Sequence, residues 1–356
     1  MPIFIAVTDM TDPIQNTLND IDARTRDVFR RLVETYLETG EPVGSRTLSH
    51  DRTIDVSAAT VRNVMADLTD LGLLYAPHIS AGRMPTERGL RLFVDSLMQV
   101  GELTDDVRRA IDTEARDNDV EQALEDAATR LSGLTNAASL VLTPKTDAPL
   151  RQVEFVSAAP GKALAIMVFE DGRVENRVID SPESLPDSAL VRAGNYLNAR
   201  LIGRTLAEAR ADILDEIGDN RAELDALSSK LVRDGVADIA GGDEFSLIVR
   251  GRGQLLDDAA FQDIERVRML FDDLERKRDV IDLMNAAREG EGVKIFIGSE
   301  NKLFSLSGSS VIAKPYRDES HNIVGVLGVI GPTRLNYAKV IPIVDYTAEV
   351  ISRLLK

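Results

Sequence analysis

The sequence predicts an α+β multidomain protein that opens with a winged helix-turn-helix, and three observations carry that expectation. Within the first hundred residues, three short amphipathic helices, a strand, an Arg-bearing polar loop and a closing helix follow one another. From residue 137 onward, strand-like runs alternate with helical ones. A helical stretch over 185–240 interrupts those strands.

The elements follow in order. Asp22 to Thr39 reads as a helix: Val28, Phe29, Leu32, Val33, Tyr36 and Leu37 form one apolar stripe, Asp22 can cap its start and Gly40 ends it. A turn at Glu41-Pro42-Val43-Gly44 leads to a short helix that Ser45 is expected to cap. Ser57 caps a third helix ending at Gly72. Leu73-Leu74-Tyr75 is a short strand, Pro77 to Arg83 is a polar loop whose Gly82 is expected to give the turn backbone freedom, and Thr86 caps a fourth helix through Met98. Residues 101–135 are helical and acidic. Strands are expected at Ala138–Leu142, Val153–Ser157, Ala163–Phe169 and Arg173–Ile179, with a hairpin at Glu170-Asp171-Gly172. After the helical stretch come a strand at Phe245–Arg250 and one long helix from Asp257 to about Ala287. Strands at Val293–Ile297, Val311–Tyr316 and Ile323–Ile330 and a final helix from about Tyr337 complete the chain.

The third helix has two faces. Val61, Val64, Met65, Leu68 and Leu71 share one side, while Ala59, Arg62, Asn63 and Ala66 share the other. Small residues with one Arg and one Asn suit a helix pressed into a major groove, where Arg can pair with guanine and Asn with adenine. An ordinary amphipathic helix with a solvated face has the same pattern, and the strand, Arg loop and fourth helix that follow decide for the winged motif.

Composition first argues against such a role. The net charge is −17, whereas nucleic-acid binders are commonly basic. The charge is unevenly spread, however. Residues 1–100 carry 10 Arg against 14 acidic residues, net −4, which leaves −13 for the rest, and the first Lys is Lys145. Arg is the cation suited to bidentate contacts, and distant acidic surface is screened beyond about 8 Å at physiological salt. The chain has no Cys and no Trp, which excludes disulfides and thiolate metal sites and fits a cytoplasmic protein. The longest apolar stretch, Ile323 to Pro332, is far short of the roughly 18 residues a membrane span needs. Residues 1–18 read as a disordered extension. His50, His78 and His321 have no ligand spacing, and neither a Walker motif nor a nucleophile elbow occurs, so neither an enzyme nor a metal or other cofactor is expected.

Several segments carry a resemblance. They are Gly40-Glu41-Pro42-Val43-Gly44-Ser45-Arg46, then Ser57-x-x-Thr60-Val61-Arg62-Asn63-x-Met65-x-x-Leu68, then Pro77-His78-Ile79-Ser80-Ala81-Gly82-Arg83-Met84-Pro85-Thr86. Later come Leu255-Leu256 with Phe261-Gln262-Asp263, Ile297-Gly298 with Glu300-Asn301, and the run from Val324 to Arg334. Across about residues 19–356 the chain resembles the HrcA family of heat-inducible transcription repressors. The resemblance implies a winged helix over 19–100, a GAF-like domain over 101–184 plus 251–356, and a dimerising segment inserted at 185–250. It also implies repression of class I heat-shock (chaperone) operons by a dimer on an inverted-repeat operator, kept active by the chaperonin GroEL and lost on heat stress. Ile79 and Met84 depart from the family pattern, and Ile79 removes one phosphate-binding hydroxyl.

Arg62 and Asn63 are the expected base readers. Ser57 caps its helix, worth about 1 kcal/mol, and its hydroxyl also suits a phosphate, since helix N-termini attract anions. Thr60 either bonds phosphate or stabilises the first turn. Ser45 and Arg46 open the helix that crosses the backbone in such motifs, with Arg46 toward phosphate. Ser80 and Arg83 are expected in the wing as DNA contacts, Arg83 reaching phosphate or the minor groove, and His78 either contacts DNA or orders the loop. The resemblance puts the dimer contact in the insertion, where Leu206, Ile213, Leu214, Ile217, Leu224, Leu227 and Leu231 either supply an apolar surface or fill a small core. A small-molecule-sensing regulator using the GAF-like domain is the alternative function.

Overall fold

The computed structural model describes residues 21–51, 56–78, 81–112, 120–144, 148–182, 186–205, 245–256, 264–288, 292–300 and 308–355. Residues 1–18, Ser80 and the leucines and isoleucines from Leu206 to Leu231 lie outside them. The chain divides into two compact units, Met1–Thr143 with Phe245–Lys356, and Pro144–Glu244.

In the first unit, α1 (Ala23–Thr39) starts where Asp22 accepts a hydrogen bond from the Thr25 amide at 2.7 Å, and it stops at Gly40, whose left-handed φ of 74° turns the chain. The short α2 (Ser45–Ser49) follows. Its N-cap is Gly44, with no side-chain cap, so Ser45 is the first helical residue and does not cap it as the sequence suggested. α3 (Ala58–Asp70) buries Val61, Val64, Met65 and Leu68 against α1 and α2. β1 (Leu74–Tyr75) pairs antiparallel with β2 (Met84–Pro85). Thr86 caps α4 (Glu87–Leu92), accepting from the Gly89 amide at 3.0 Å. The expected last turn of that helix, Phe93–Leu97, is a π-turn closed by Met98 N–H on the Phe93 carbonyl at 2.8 Å.

The same unit then builds an α/β layer. α5 (Asp105–Ile111) and α6 (Val120–Thr135) lead into β3 (Ala138–Pro144). After residue 244 the chain returns as β7 (Phe245–Arg250), α8 (Ile264–Glu275), α9 (Lys277–Ala286), β8 (Lys294–Ile297), β9 (Ser309–Arg317), β10 (Ile323–Pro332) and α10 (Tyr337–Leu354). Where a single helix was expected over 257–287, the described residues from 264 onward form two, because Arg276 leaves helical geometry at ψ 69°. The five strands lie in the order β7-β3-β10-β9-β8. Along β10, Leu327 and Val329 face α6 and α10, while Val326 and Ile330 face α8 and α9, so the period-2 pattern buries both faces. Gly325 is required there: a Cβ would stand 2.1 Å from the Leu142 carbonyl and 2.3 Å from the Tyr316 hydroxyl. That hydroxyl donates to Leu142 at 3.0 Å, and burial pushes its pKa up to about 12.

The second unit has its own core. β4 (Leu150–Ala159), β5 (Lys162–Phe169) and β6 (Val174–Asp180) form an antiparallel meander, with Gly172 at φ 86° in the hairpin the sequence marked. One face packs on α7 (Asp187–Leu201) through Val153, Phe155, Ala165, Met167, Leu190, Tyr196 and Leu197. Asn198 clasps the backbone of Val153, accepting from its N–H at 2.6 Å and donating to its carbonyl at 2.9 Å. The opposite face presents the row Val156, Leu164, Val178, and Val156, Val174 and Val178 on that face are exposed.

These strands differ from the expected grouping. The sequence assigned 144–184 to the larger domain and 245–250 to the insertion, but among the described residues β4–β6 form a three-stranded sheet of their own and β7 joins the five-stranded sheet. Gly251, just past β7, stands against Ala137, just before β3. The two neighbouring strands therefore run oppositely, and the chain leaves the sheet and re-enters it at the same end.

Candidate nucleic-acid interface

The helices around α3 fix which residues reach solvent. With Val61, Val64, Met65 and Leu68 committed to the core, Ala59, Arg62, Asn63 and Ala66 are exposed as the periodicity requires. The Arg62 and Asn63 side chains make no hydrogen bond or ion pair among the described residues, so all their donors and acceptors remain available to a ligand. Asp67 and Asp70 are exposed as well, but toward the C-terminal end. Charge therefore changes sign along the helix, with Arg62 and the positive dipole end together at the N-terminal half.

That N-terminal end is firmly built. The Ser57 Oγ accepts from the Thr60 amide at 3.2 Å and pairs with the Thr60 hydroxyl at 2.9 Å. Ser57 is exposed and Thr60 half-buried, so the cap and a solvent-facing hydroxyl coexist in one pair. On α2, Arg46 is exposed and Ser45 half-buried.

Arg83 is tied down through its backbone. Its N–H donates to the Val43 carbonyl and its carbonyl accepts from the Val43 N–H, both at 2.9 Å, so its backbone belongs to a ladder that ties the α1–α2 turn to β2. The residue is half-buried, Nη1 leans on the Ala81 carbonyl at 3.5 Å, and Nε is enclosed without a partner among the described residues. Gly82 serves this ladder and not a flexible turn: a Cβ there would lie 2.4 Å from the Val43 backbone. His78 is exposed, and its carbonyl, not its ring, closes the loop by accepting from the Ala81 amide at 3.0 Å.

One cluster escaped the sequence reading. Arg91 on α4 is buried, and its Nε donates to Glu300 Oε1 at 2.7 Å, Nη2 to Glu300 Oε2 and to the Ile295 carbonyl, and Nη1 to Asp95 at 3.2 Å. Burial opposes the Arg91 charge, but Glu300 and then Asp95 more than offset it, so its pKa stands above the ordinary value. Burial pushes the Asp95 carboxyl up despite Arg91. The available signal was a cation set among Leu90, Phe93 and Val94, with Glu300 in a segment that had no assigned role.

Comparison with known proteins agrees with this architecture. The family described as HrcA protein C terminal domain matches residues 121–341. The heat-inducible transcription repressor HrcA of Bradyrhizobium diazoefficiens is 59% identical over 345 residues, covering 95% of each chain. That of Rhodopseudomonas palustris is 58% identical over the same span and coverage. A crystal structure of a hypothetical protein at 2.2 Å resolution shares the fold, with a TM-score of 0.59 at 23% identity, covering 94% of this chain and 98% of that one. On family match, identity and length together, the chain belongs to the HrcA family of heat-inducible transcription repressors.

Proposed function

We propose that residues 21–98 act as a winged helix-turn-helix that docks α3 in the major groove of an inverted-repeat operator, and that the repressor binds as a dimer. The observation that carries this reading is the unpartnered Arg62–Asn63 face at the N-terminal half of α3, flanked by small Ala59 and Ala66. Arg62 and Asn63 read bases; Ser57, Thr60, Ser45, Arg46 and Arg83 hold phosphates, with Ser80 and His78 at the wing.

The five-stranded layer serves as the GAF-like body and the 144–244 unit as the inserted dimerising domain. The exposed Val156, Val174 and Val178 support the latter, because a sheet face this apolar is commonly covered in an assembly. Its role is regulatory binding in the cytoplasm, the operons it controls are chaperone operons, and GroEL sustains the active form. Among the described residues no helix is long and apolar enough to cross a membrane.

Selection from a random pool of duplex DNA tests the reading. The full-length protein should enrich one inverted repeat with half-sites on one face of the duplex. Recovery of unrelated sequences only, or of a single unrepeated site, would overturn it.

A further inference from the structure

Operator reading gives no role to the contact between α4 and the Gly298–Glu300 turn, although that contact joins the reading helices to the sheet. Arg91 gives Nε and Nη2 to Glu300 there, Nη2 also reaching the Ile295 carbonyl of β8, while Nη1 binds Asp95 four residues along its own segment. Glu300 is itself held by the Ile297 amide, which donates to Oε2 at 2.8 Å. One turn earlier on α4, Glu87 accepts from the Ser299 amide at 3.0 Å and from the Ser299 hydroxyl. Gly298, at φ 53°, makes room, since a Cβ would stand 2.0 Å from the Glu87 Oε1.

A fork-to-carboxylate pair fixes angle as well as distance. Glu87 and Arg91 stand four apart, so both contacts lie along one face of α4 and prevent it from rolling. α4 follows β2 directly, β2 pairs with β1, and β1 follows α3, so the orientation of α3 on the body is transmitted through α4. Adhesion alone would be met by apolar packing without the desolvation of a buried cation.

We infer that Arg91 and Glu300, with Glu87 and Ser299, are positioning residues that set the angle at which α3 stands on the body, and thereby the half-site spacing the repressor accepts. The inference rests on the dimeric, inverted-repeat reading above. Arg91 is buried and acts through α3.

The test uses the full-length protein and the repeat it selects from random duplex DNA. Spacers one or two base pairs longer or shorter turn one half-site by about 34° per base pair, given about 10.5 base pairs per turn. Wild type should lose roughly tenfold or more in affinity at each altered spacing. Arg91→Lys keeps the charge and loses the fork; Glu300→Gln sets an amide N–H₂ against the Arg91 and Ile297 donors. Both variants are mild enough to fold, as a thermal melt will verify. Each should bind all the spacings within about threefold of one another, with affinity for a single half-site unchanged. If either folded variant keeps the wild-type spacing profile, or loses half-site affinity in equal measure, the assignment is overturned. Failure of wild type to select a repeat would overturn the dimeric reading itself, and that arm involves no variant.

Discussion

Arg62 and Asn63 stand at the N-terminal half of a helix whose other side is sealed in the core. Arg62→Ala should weaken binding to the selected operator by about 1–3 kcal/mol and relax preference at one base position per half-site. Quantitative binding to operators varied base by base checks this, and equal losses on operator and random DNA would move Arg62 to the phosphates. Arg83 should behave in that second way: Arg83→Ala lowers affinity on both DNAs and makes the salt slope shallower by roughly one unit. An unchanged slope would remove it from the phosphate contacts. Local chemistry at this scale was legible: Asp22, Ser57 and Thr86 cap the helices that the sequence assigned them. The Val43–Arg83 ladder and the close approach over Gly82 were not, because each joins residues about forty positions apart and no periodicity records them.

Which sheet a strand joins is a property of elements and not of residues. β4, β5 and β6 were each recognisable from alternation and turn residues, yet their sequence says nothing about whether they extend the larger sheet or form their own. Their partner, α7, supplies the answer by burying their apolar face. The break at Arg276 between α8 and α9 was equally hidden, since both flanks have helical periodicity and neither Gly nor Pro marks the junction. The observed boundaries make a cleaner deletion available than one at 185–250. Joining Thr143 to Phe245 by a short linker removes a unit with its own core, and the two ends lie at the same end of neighbouring strands. The shortened protein should remain folded, sediment as a monomer and bind the operator far more weakly than the full chain. A folded, dimeric product in analytical ultracentrifugation would place the dimer contact elsewhere.

For the whole molecule, a net charge of −17 sits beside the helix proposed to read DNA, and the two are compatible because the acidity lies mostly beyond the first hundred residues. The same charge, with no disulfides, adds self-repulsion to a fold whose stability is a small difference between large terms. After mild heating and return to low temperature, GroEL with ATP should restore more operator binding than an equal mass of inert protein. Full spontaneous recovery would point to another control signal. The family was legible from short motifs at α2, α3 and β10, whereas Glu300 acquired a role only when the fold brought it to Arg91.

The most direct measurement is the affinity ratio between the selected inverted repeat and a scrambled duplex of equal length and composition, taken at one physiological salt concentration. A repressor that reads bases through α3 from both halves of a dimer should favour the repeat by about 10³ or more. Equal affinity for the two duplexes would contradict sequence-specific reading by this helix and leave only phosphate binding.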